Sequence, residues 1–229
     1  MGASRFAAVL FDLDGTLVET RRDIATGLNL VLAERGLPQL PVEQVAKHVG
    51  RGGRVLVARC LEDAGLRDAG PEEVEAAFQS FRRHYLEHAL DTTRPFDGIP
   101  EMLARLREAG CRLAVVTNKP DESARVVIEG VGLGWAFEVI VGGESLTARK
   151  PDPAPLFFAL EKLGLSGRPA VMVGDSTVDV AAGKAADGCA VAAVTWGYGS
   201  RESLEASGPD LLADDPAALA DWILEPLKR

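Results

Sequence analysis

The sequence has few of the residues that mark secreted, metal-thiolate or membrane proteins. Among its 229 residues are three cysteines, Cys60, Cys111 and Cys189, and they are scattered along the chain. This spacing predicts neither a disulfide framework nor a cysteine-based zinc site, and reduced thiols are typical of a reducing compartment. No stretch approaches 18 consecutive apolar residues, so no membrane span is predicted.

Positive charge is also scarce. The chain has 25 Lys and Arg against 34 Asp and Glu, which gives a formal net charge of −9. Nucleic acids and anionic membranes attract proteins through a basic face, so neither is expected as a partner. An anion can still bind locally where a cation and a few basic groups reverse the field. No apolar run precedes the first predicted strand, so we expect no signal peptide and a cytoplasmic location.

Apolar residues are plentiful, at 47% of the chain. Five short apolar runs without polar alternation are typical of parallel strands that are buried on both faces. They cover residues 6–13, 112–117, 137–141, 170–174 and 189–195. Helical patterns lie between them, at about 99–109, 121–129, 153–163 and 178–186. This order predicts an α/β fold with a doubly wound, Rossmann-like parallel sheet, whose ligand site lies at the carboxyl ends of the strands.

One long segment breaks the alternation of strands and helices. Residues 18–92 show only helical patterns, such as the apolar positions Val74, Phe78, Phe81 and Tyr85 on one helix face. Thr20 and Asp23 resemble a capping box at the start of the first helix. We therefore predict an α/β core from residues 1–17 and 93–229, and an all-helical cap from residues 18–92. An insert beside a strand end is well placed to act as a lid.

Two acidic residues, Asp12 and Asp14, end the first predicted strand. Carboxylates at the end of a buried strand are unfavourable unless something neutralises them, and a hard divalent cation with oxygen ligands would do so. The backbone N–H groups of Gly15 and Thr16 are placed to turn towards a phosphate. A surface turn of the Asp-x-Asp-Gly type is the alternative.

Two further segments offer hydrogen-bond donors and positive charge for a phosphate. Thr117 and Asn118 end the run at 112–117 and offer a hydroxyl and an amide to phosphoryl oxygens, although a helix N-cap explains them equally well. Lys150 precedes Pro151, just before a helical pattern, and can reach inward as a point charge on a phosphate. A solvated loop lysine is the alternative reading of that residue.

A second pair of acids follows the fourth run. Asp175 ends the strand at 170–174, and Asp179 lies one helical turn later, so both can face one pocket. There they add negative charge that a cation would offset. Helix capping by Asp175 or Ser176 is the alternative, but it does not account for the second acid on the same face.

The four motifs, in this order, resemble those of the haloacid dehalogenase-like hydrolase superfamily, and residues 18–92 look like its helical cap. The chain is most similar to the phosphoglycolate phosphatase group of that superfamily. The residues that carry this closer resemblance are 117–120, 142–144, 150–153 and 196–199.

This resemblance implies a role for each motif. Asp12 would attack phosphorus and form an aspartyl-phosphate, while Asp14 would act as general acid and base. Asp14 is the residue that separates phosphatases from dehalogenases in the superfamily. Lys150, Thr117 and Asn118 would stabilise the phosphoryl oxygens. Mg²⁺ would be held by Asp12, the Asp14 backbone carbonyl, Asp175 and Asp179, the last of which would orient the metal or its waters.

The resemblance also implies a small phosphate ester as the partner, with 2-phosphoglycolate as the expected substrate. Arg51, in a glycine-rich basic loop, is placed to pair with a substrate carboxylate, unless it only forms a solvated helix–helix turn. Other readings are a phosphatase for a sugar phosphate or pyrophosphate, a phosphosugar mutase, and a non-enzymatic receiver-like signalling domain. The sequence leaves open whether the protein is a monomer or a homodimer.

Overall fold

A six-stranded parallel sheet lies at the centre of the protein. The computed structural model describes residues 5–226, so residues 1–4, on which part of the signal-peptide prediction falls, lie outside the described residues. Every neighbouring pair of strands is parallel. Numbered in chain order, the strands lie side by side as β5 (Val139–Val141), β4 (Arg112–Val116), β1 (Ala8–Phe11), β6 (Ala170–Gly174), β7 (Cys189–Val194) and β8 (Leu211–Ala213).

Helices cover both faces of this sheet. Successive residues of a strand point to opposite faces, so Val9 and Phe11 of β1 belong to one core cluster, and Ala8 and Leu10 to another. Apolar residues on both faces explain why the strand sequences do not alternate. The first face carries α5 (Ile99–Glu108), α6 (Asp121–Gly130) and α10 (Pro216–Leu224); the second carries α7 (Ala154–Lys162) and α8 (Thr177–Ala185), with α9 (Arg201–Ser207) packed on α8. The predicted doubly wound α/β core is confirmed.

The strand order places β1 at the switch point of the topology. From β1 the chain builds β4 and β5 on one side, and then returns to build β6, β7 and β8 on the other. The connections after β1, β4 and β6 therefore diverge at the carboxyl edge of the sheet and leave a crevice there.

An all-helical segment is inserted between β1 and β4, as predicted. Its helices α1 (Arg21–Glu34) and α4 (Pro71–His88) pack along each other. The buried side chains of these two helices include Leu28, Leu32, Phe78 and Tyr85. Within residues 5–226, no helix is both long and apolar enough to cross a membrane. The helices of the insert are α1 (Arg21–Glu34), α2 (Val42–Ala46), α3 (Gly53–Asp63) and α4 (Pro71–His88).

A two-stranded antiparallel ribbon closes the insert. It consists of β2 (Val18–Glu19) and β3 (Arg94–Pro95). The prediction that residues 18–92 contain no strand was therefore wrong at residues 18–19. A strand of two residues is too short to show a periodic pattern, and the same holds for β8 near the other end of the chain, which the sequence did not reveal.

The predicted capping box at Thr20 and Asp23 was wrong. The Thr20 side chain makes no capping hydrogen bond to α1; its hydroxyl instead donates to Asp14 at 2.7 Å. The buried Asp23 carboxylate accepts hydrogen bonds from the backbone N–H and the hydroxyl of both Thr92 and Thr93. This contact ties the first turn of α1 to the segment where the chain leaves the insert.

Replacing Asp23 should remove this contact and destabilise the protein. Burial alone would raise the pKa of Asp23, but the hydrogen bonds from Thr92 and Thr93 outweigh it and lower the pKa. We expect Asp23→Ala to reduce the free energy of unfolding by about 1.5–3 kcal/mol, because the N–H and hydroxyl donors of Thr92 and Thr93 lose a buried, charged acceptor. Urea denaturation at neutral pH measures this difference.

The matched control is Asp91→Ala, whose exposed carboxylate pairs with His88 and should contribute less than about 1 kcal/mol. The stabilisation by Asp23 is fully present above the ordinary aspartate pKa of about 3.9 and is lost as the pH falls through its lowered value. Equal losses in the two variants at neutral pH would contradict a specific role for Asp23.

Candidate active site

Polar side chains from three neighbouring strand ends meet in the crevice. Asp12 directly follows β1, and its backbone N–H still donates to Val173 of β6 at 2.9 Å. Thr117 follows β4 and Asp175 follows β6, and all three side chains are buried. Because parallel strands end at one edge, the sequence predicted this convergence correctly.

Three buried carboxylates form a group that could hold a metal ion. One oxygen each from Asp12, Asp175 and Asp179 lies within 4.8 Å of the others. Burial raises the pKa of Asp12, although Lys150 opposes the shift. Burial, with the charges of Asp179 and Asp12, raises the pKa of Asp175 to about 8. An all-oxygen donor set with uncompensated negative charge fits a hard divalent cation such as Mg²⁺.

Lys150 reaches into this group as predicted. Its Nζ lies 2.9 Å from Oδ1 of Asp12 and 2.7 Å from Oδ1 of Asp179. Burial by itself would lower the pKa of Lys150, but the two carboxylates outweigh it and raise the pKa. The side chain is therefore a fixed ammonium beside Asp12, and not a solvated loop lysine.

Asp179 has a second function that the sequence analysis excluded. It occupies the N3 position of α8 and forms a capping box with Ser176, whose hydroxyl donates to Oδ2 of Asp179 at 2.6 Å. The argument that capping could not account for a second acid was wrong, since Asp179 is itself part of the cap. One carboxylate oxygen caps the helix, while the other binds Lys150.

Asp14 is held apart from the other three acids. Its two carboxylate oxygens lie 2.8 and 3.0 Å from Nζ of Lys119, and Thr20 also donates to it. Its side chain is not in the group of three carboxylates. A contribution of Asp14 to a metal site would have to come from its backbone carbonyl, as the resemblance implies.

The backbone N–H groups of Gly15 and Thr16 were predicted to point towards a phosphate, but both are bonded within the turn. The Gly15 N–H donates to the Val18 carbonyl at 2.9 Å, and the Thr16 N–H donates to Leu13 at 3.3 Å. Gly15 has φ +85°, and a Cβ there would lie 2.3 Å from Oδ2 of Asp175. The tight turn therefore serves close packing against Asp175. The predicted phosphate contacts through these two N–H groups were wrong for this conformation.

Asn118 also differs from its prediction. Its side-chain amide donates to the carbonyls of Gly50 and Lys150, at 2.9 Å each, so both N–H groups are used. It connects a loop of the helical insert to the segment that carries Lys150, and it does not offer this amide to a phosphate. The Thr117 hydroxyl accepts a bond from the Lys119 N–H at 3.2 Å and keeps its own hydrogen free to donate.

Two residues of the site were missed in the sequence. Lys119 follows directly after Thr117 and Asn118, and its place in that strand-end motif was the available signal. Tyr198 follows β7; its N–H donates to Asp175 at 2.7 Å, and its hydroxyl lies 2.8 Å from the Thr20 nitrogen. Tyr198 lies in the segment 196–199 that carries the closer resemblance, but no local pattern indicates its contact with Thr20, 178 residues away.

A small cavity separates the strand ends from the helical insert. Asp12, Asp14, Thr117 and Lys119 line its core side. Its volume is about 40 Å³. A cavity needs about 10–15 Å³ to hold one water molecule, so this one is large enough to be hydrated. The side formed by the insert is mainly apolar and includes Leu56, Phe78, Phe81 and Tyr85.

The structure places Arg51 outside this cavity. It is exposed and lies along a second cleft, which Asp14 and Asp175 also line. Arg54, from the same basic loop, is bound to Glu75, with Nε 2.6 Å from Oε2. The contact between Arg51 and a substrate carboxylate stays a prediction, and it would have to form from the second cleft.

Proteins of known sequence or structure resemble this chain over nearly its whole length. The phosphoglycolate phosphatase of Haemophilus influenzae is 40% identical over 220 residues, 94% of this chain and 97% of that protein. The phosphoglycolate phosphatase of Rhodospirillum rubrum is 42% identical, over 94% and 90% of the two chains.

Solved structures show the same similarity. The crystal structure of a predicted phosphoglycolate phosphatase from Haemophilus somnus has a TM-score of 0.89 at 33% identity, covering 96% of this chain and 99% of that one. The family model described as haloacid dehalogenase-like hydrolase matches residues 9–194. With the strand-end motifs in place, these matches show that the chain belongs to the haloacid dehalogenase-like hydrolase family.

Proposed function

We propose that the protein is a phosphatase that hydrolyses small phosphate monoesters, with 2-phosphoglycolate as its substrate. The observation that carries this proposal is the buried Asp12 carboxylate, held by Lys150 beside Asp175 and Asp179 at the ends of β1 and β6. The second acid, Asp14, lines the same cavity and supports phosphate chemistry over dehalogenation. The names of the two curated relatives support the choice of phosphoglycolate.

Asp12 acts as the nucleophile in this mechanism. One of its oxygens attacks phosphorus, the ester P–O bond breaks, and an aspartyl-phosphate forms on Asp12. Lys150, 2.9 Å from Asp12, stays close to the charge that moves onto the phosphoryl oxygens. The free hydroxyl hydrogen of Thr117 supplies a neutral donor on the same side of the cavity.

Asp14 moves the protons. In its protonated form it gives that proton to the departing oxygen of the alcohol, and it regains a proton from the water that cleaves the aspartyl-phosphate. Lys119 and Thr20 fix both of its oxygens, so the carboxylate is oriented before substrate arrives. Phosphate is released and the Asp12 carboxylate is regenerated.

Asp12, Asp175 and Asp179, with the Asp14 carbonyl, are the groups that would hold Mg²⁺. When bound, this ion offsets the repulsion between Asp12 and a phosphate dianion, which amounts to about 4 kcal/mol for unit charges 4 Å apart at an effective dielectric of about 20. Lys150 binds both Asp12 and Asp179 and so fixes two of these carboxylates relative to each other.

The lining of the cavity favours a small ester over a sugar phosphate. The insert side of the cavity is mainly apolar, so it would leave the hydroxyls of a sugar phosphate or a sugar bisphosphate without hydrogen-bond partners. This lining argues against the mutase reading. A receiver-like switch would have to preserve its phosphoaspartate, and an acid oriented beside Asp12 promotes hydrolysis instead.

We further propose that residues 18–92 work as a separate cap over a core of residues 1–17 and 93–229. The β2–β3 ribbon supports this division, since it joins both ends of the insert at one place. The three free cysteines support a working place in the reducing cytoplasm.

Removing the nucleophile should abolish turnover without unfolding the protein. Asp12→Asn keeps the size of the side chain and removes a carboxylate whose charge burial disfavours. We expect kcat for phosphoglycolate to fall by roughly 10⁴-fold or more. Phosphate release measures the rate, and thermal unfolding should show a Tm no lower than that of the wild type. Substantial activity in a folded variant would exclude the covalent mechanism.

Metal removal gives an independent test. Exhaustive EDTA treatment should stop phosphate release, and added Mg²⁺ should restore it. Ca²⁺ should support little activity, because it takes more ligands at longer distances and would bind Asp12 in a geometry unsuited to in-line attack. Full activity after chelation, with metal content checked by elemental analysis, would contradict the proposed cofactor.

A further inference from the structure

The mechanism accounts for the phosphoryl end of the substrate and leaves its other end without a partner. With phosphorus at Asp12, the rest of a small ester points across the cavity towards the helical insert. That wall is largely apolar, with Phe78 and Phe81 among its side chains. A carboxylate placed there is strongly unfavourable unless a cation or a hydrogen-bond donor meets it.

Lys119 extends a cation from the core side of the cavity towards this wall. Its Nζ lies 4.4 Å from the centre of the Tyr85 ring and contacts both oxygens of Asp14. The ion pair with the buried Asp14 carboxylate holds this side chain in place as an ammonium. An ammonium has three N–H donors, and Asp14 does not exhaust them.

Tyr85 brings an unused donor to the same place. Its side chain is 2% exposed and lines the cavity, and within residues 5–226 the hydroxyl has no partner at hydrogen-bond distance, although the Lys119 ammonium lies near enough to interact with it electrostatically. Burial, opposed by Lys119, raises the pKa of Tyr85 to about 12, so the hydroxyl remains a donor at neutral pH. A buried hydroxyl without a partner is unfavourable, and a ligand that accepts from it would recover that loss.

The position of Tyr85 is fixed by close packing of the helices. Gly27 of α1 faces its backbone, where a Cβ would lie 3.1 Å from both Cα and N of Tyr85. The aromatic ring also stacks on Phe81, with ring centres 5.6 Å apart. A rigid donor beside a buried ammonium is a preorganised arrangement for an anion.

We propose that Lys119 and the Tyr85 hydroxyl together bind the carboxylate of the substrate, and so select phosphate esters whose alcohol carries an acid group. This inference rests on the proposed phosphatase activity and names the residues that would give it specificity. Lys119 supplies the charge, and Tyr85 supplies a directional hydrogen bond from the insert.

The other cations near the cavity are less suited to this role. Arg82 lines the cavity, but its guanidinium is bound to Glu122 at 2.8 Å and lies 3.5 Å from Glu144. Arg51 is exposed and lies along the second cleft. Lys119 combines burial with a place beside an unpartnered donor.

The sharpest test is Tyr85→Phe, which removes a single oxygen. The measured quantity is kcat/KM for 2-phosphoglycolate divided by kcat/KM for ethyl phosphate, a matched ester that lacks the carboxylate. We expect the ratio to fall about tenfold, because one hydrogen bond to a charged group is lost. The free energy of unfolding should not fall, since the hydroxyl has no protein partner to lose.

A second variant tests the cation. Lys119→Met should lower the same ratio by about tenfold or more, even where the variant also slows both reactions. Its matched control is Lys162→Met, which removes an exposed ammonium 5.0 Å from the Phe158 ring, far from the site. That control should leave the ratio unchanged.

Each remaining outcome counts against a specific claim. An unchanged ratio in a folded Tyr85→Phe protein overturns this inference and leaves the phosphatase assignment intact. A lowered ratio in Arg51→Ala, without one in Tyr85→Phe, moves the carboxylate to the second cleft and also overturns it. Equal wild-type kcat/KM values for the two esters also overturn this inference, since no carboxylate is then selected, and leave the phosphatase assignment intact. Hydrolysis of neither ester overturns the proposed function itself.

Discussion

Four carboxylates lie buried at the ends of neighbouring strands, with two buried ammonium groups against them. A buried charge without a partner disfavours the folded state, so each of these groups needs an ion pair or hydrogen bonds from its neighbours. Among the described residues 5–226, no lysine pairs with Asp175, which accepts hydrogen bonds from the Thr16 hydroxyl and the Tyr198 N–H. The remaining excess of negative charge is the reason that the site suits a divalent cation. The six groups are Asp12, Asp14, Asp175, Asp179, Lys119 and Lys150.

The same contacts that stabilise the fold also arrange the chemistry. Asp179 caps α8 with one oxygen and fixes Lys150 with the other. Asn118 joins the insert to the Lys150 segment through its side-chain amide. The close approach of Gly15 to Asp175 lets the first and fourth motifs share one small volume. Because each group has both structural and chemical partners, the geometry is set before any ligand arrives.

The buried strands, the helical insert and the convergence of Asp12, Asp175 and Lys150 could be predicted, because apolar runs and strand-end polar residues are local patterns. Hydrogen-bond partners could not. The donors of Asn118 are used by carbonyls 68 and 32 residues away, and Tyr198 meets residues at the start of the chain. The β2–β3 ribbon and β8 could not be predicted, because a strand of two or three residues is too short to show periodicity. Sequence patterns locate groups at an edge, whereas tertiary contacts decide where their protons and lone pairs point.

The central place of β1 has a consequence for synthesis of the chain. Ala8 is paired with Arg112 on one side and with Ala170 on the other. At about 5–20 residues per second, a ribosome needs roughly 10–30 s to make the intervening chain up to β6. Contacts of α1 to α4 are closer in sequence and can form earlier. The nascent protein therefore carries a helical segment first, while the central strand β1, which is wholly apolar, waits for both neighbours. During this interval the chain is most exposed to aggregation and most in need of chaperones.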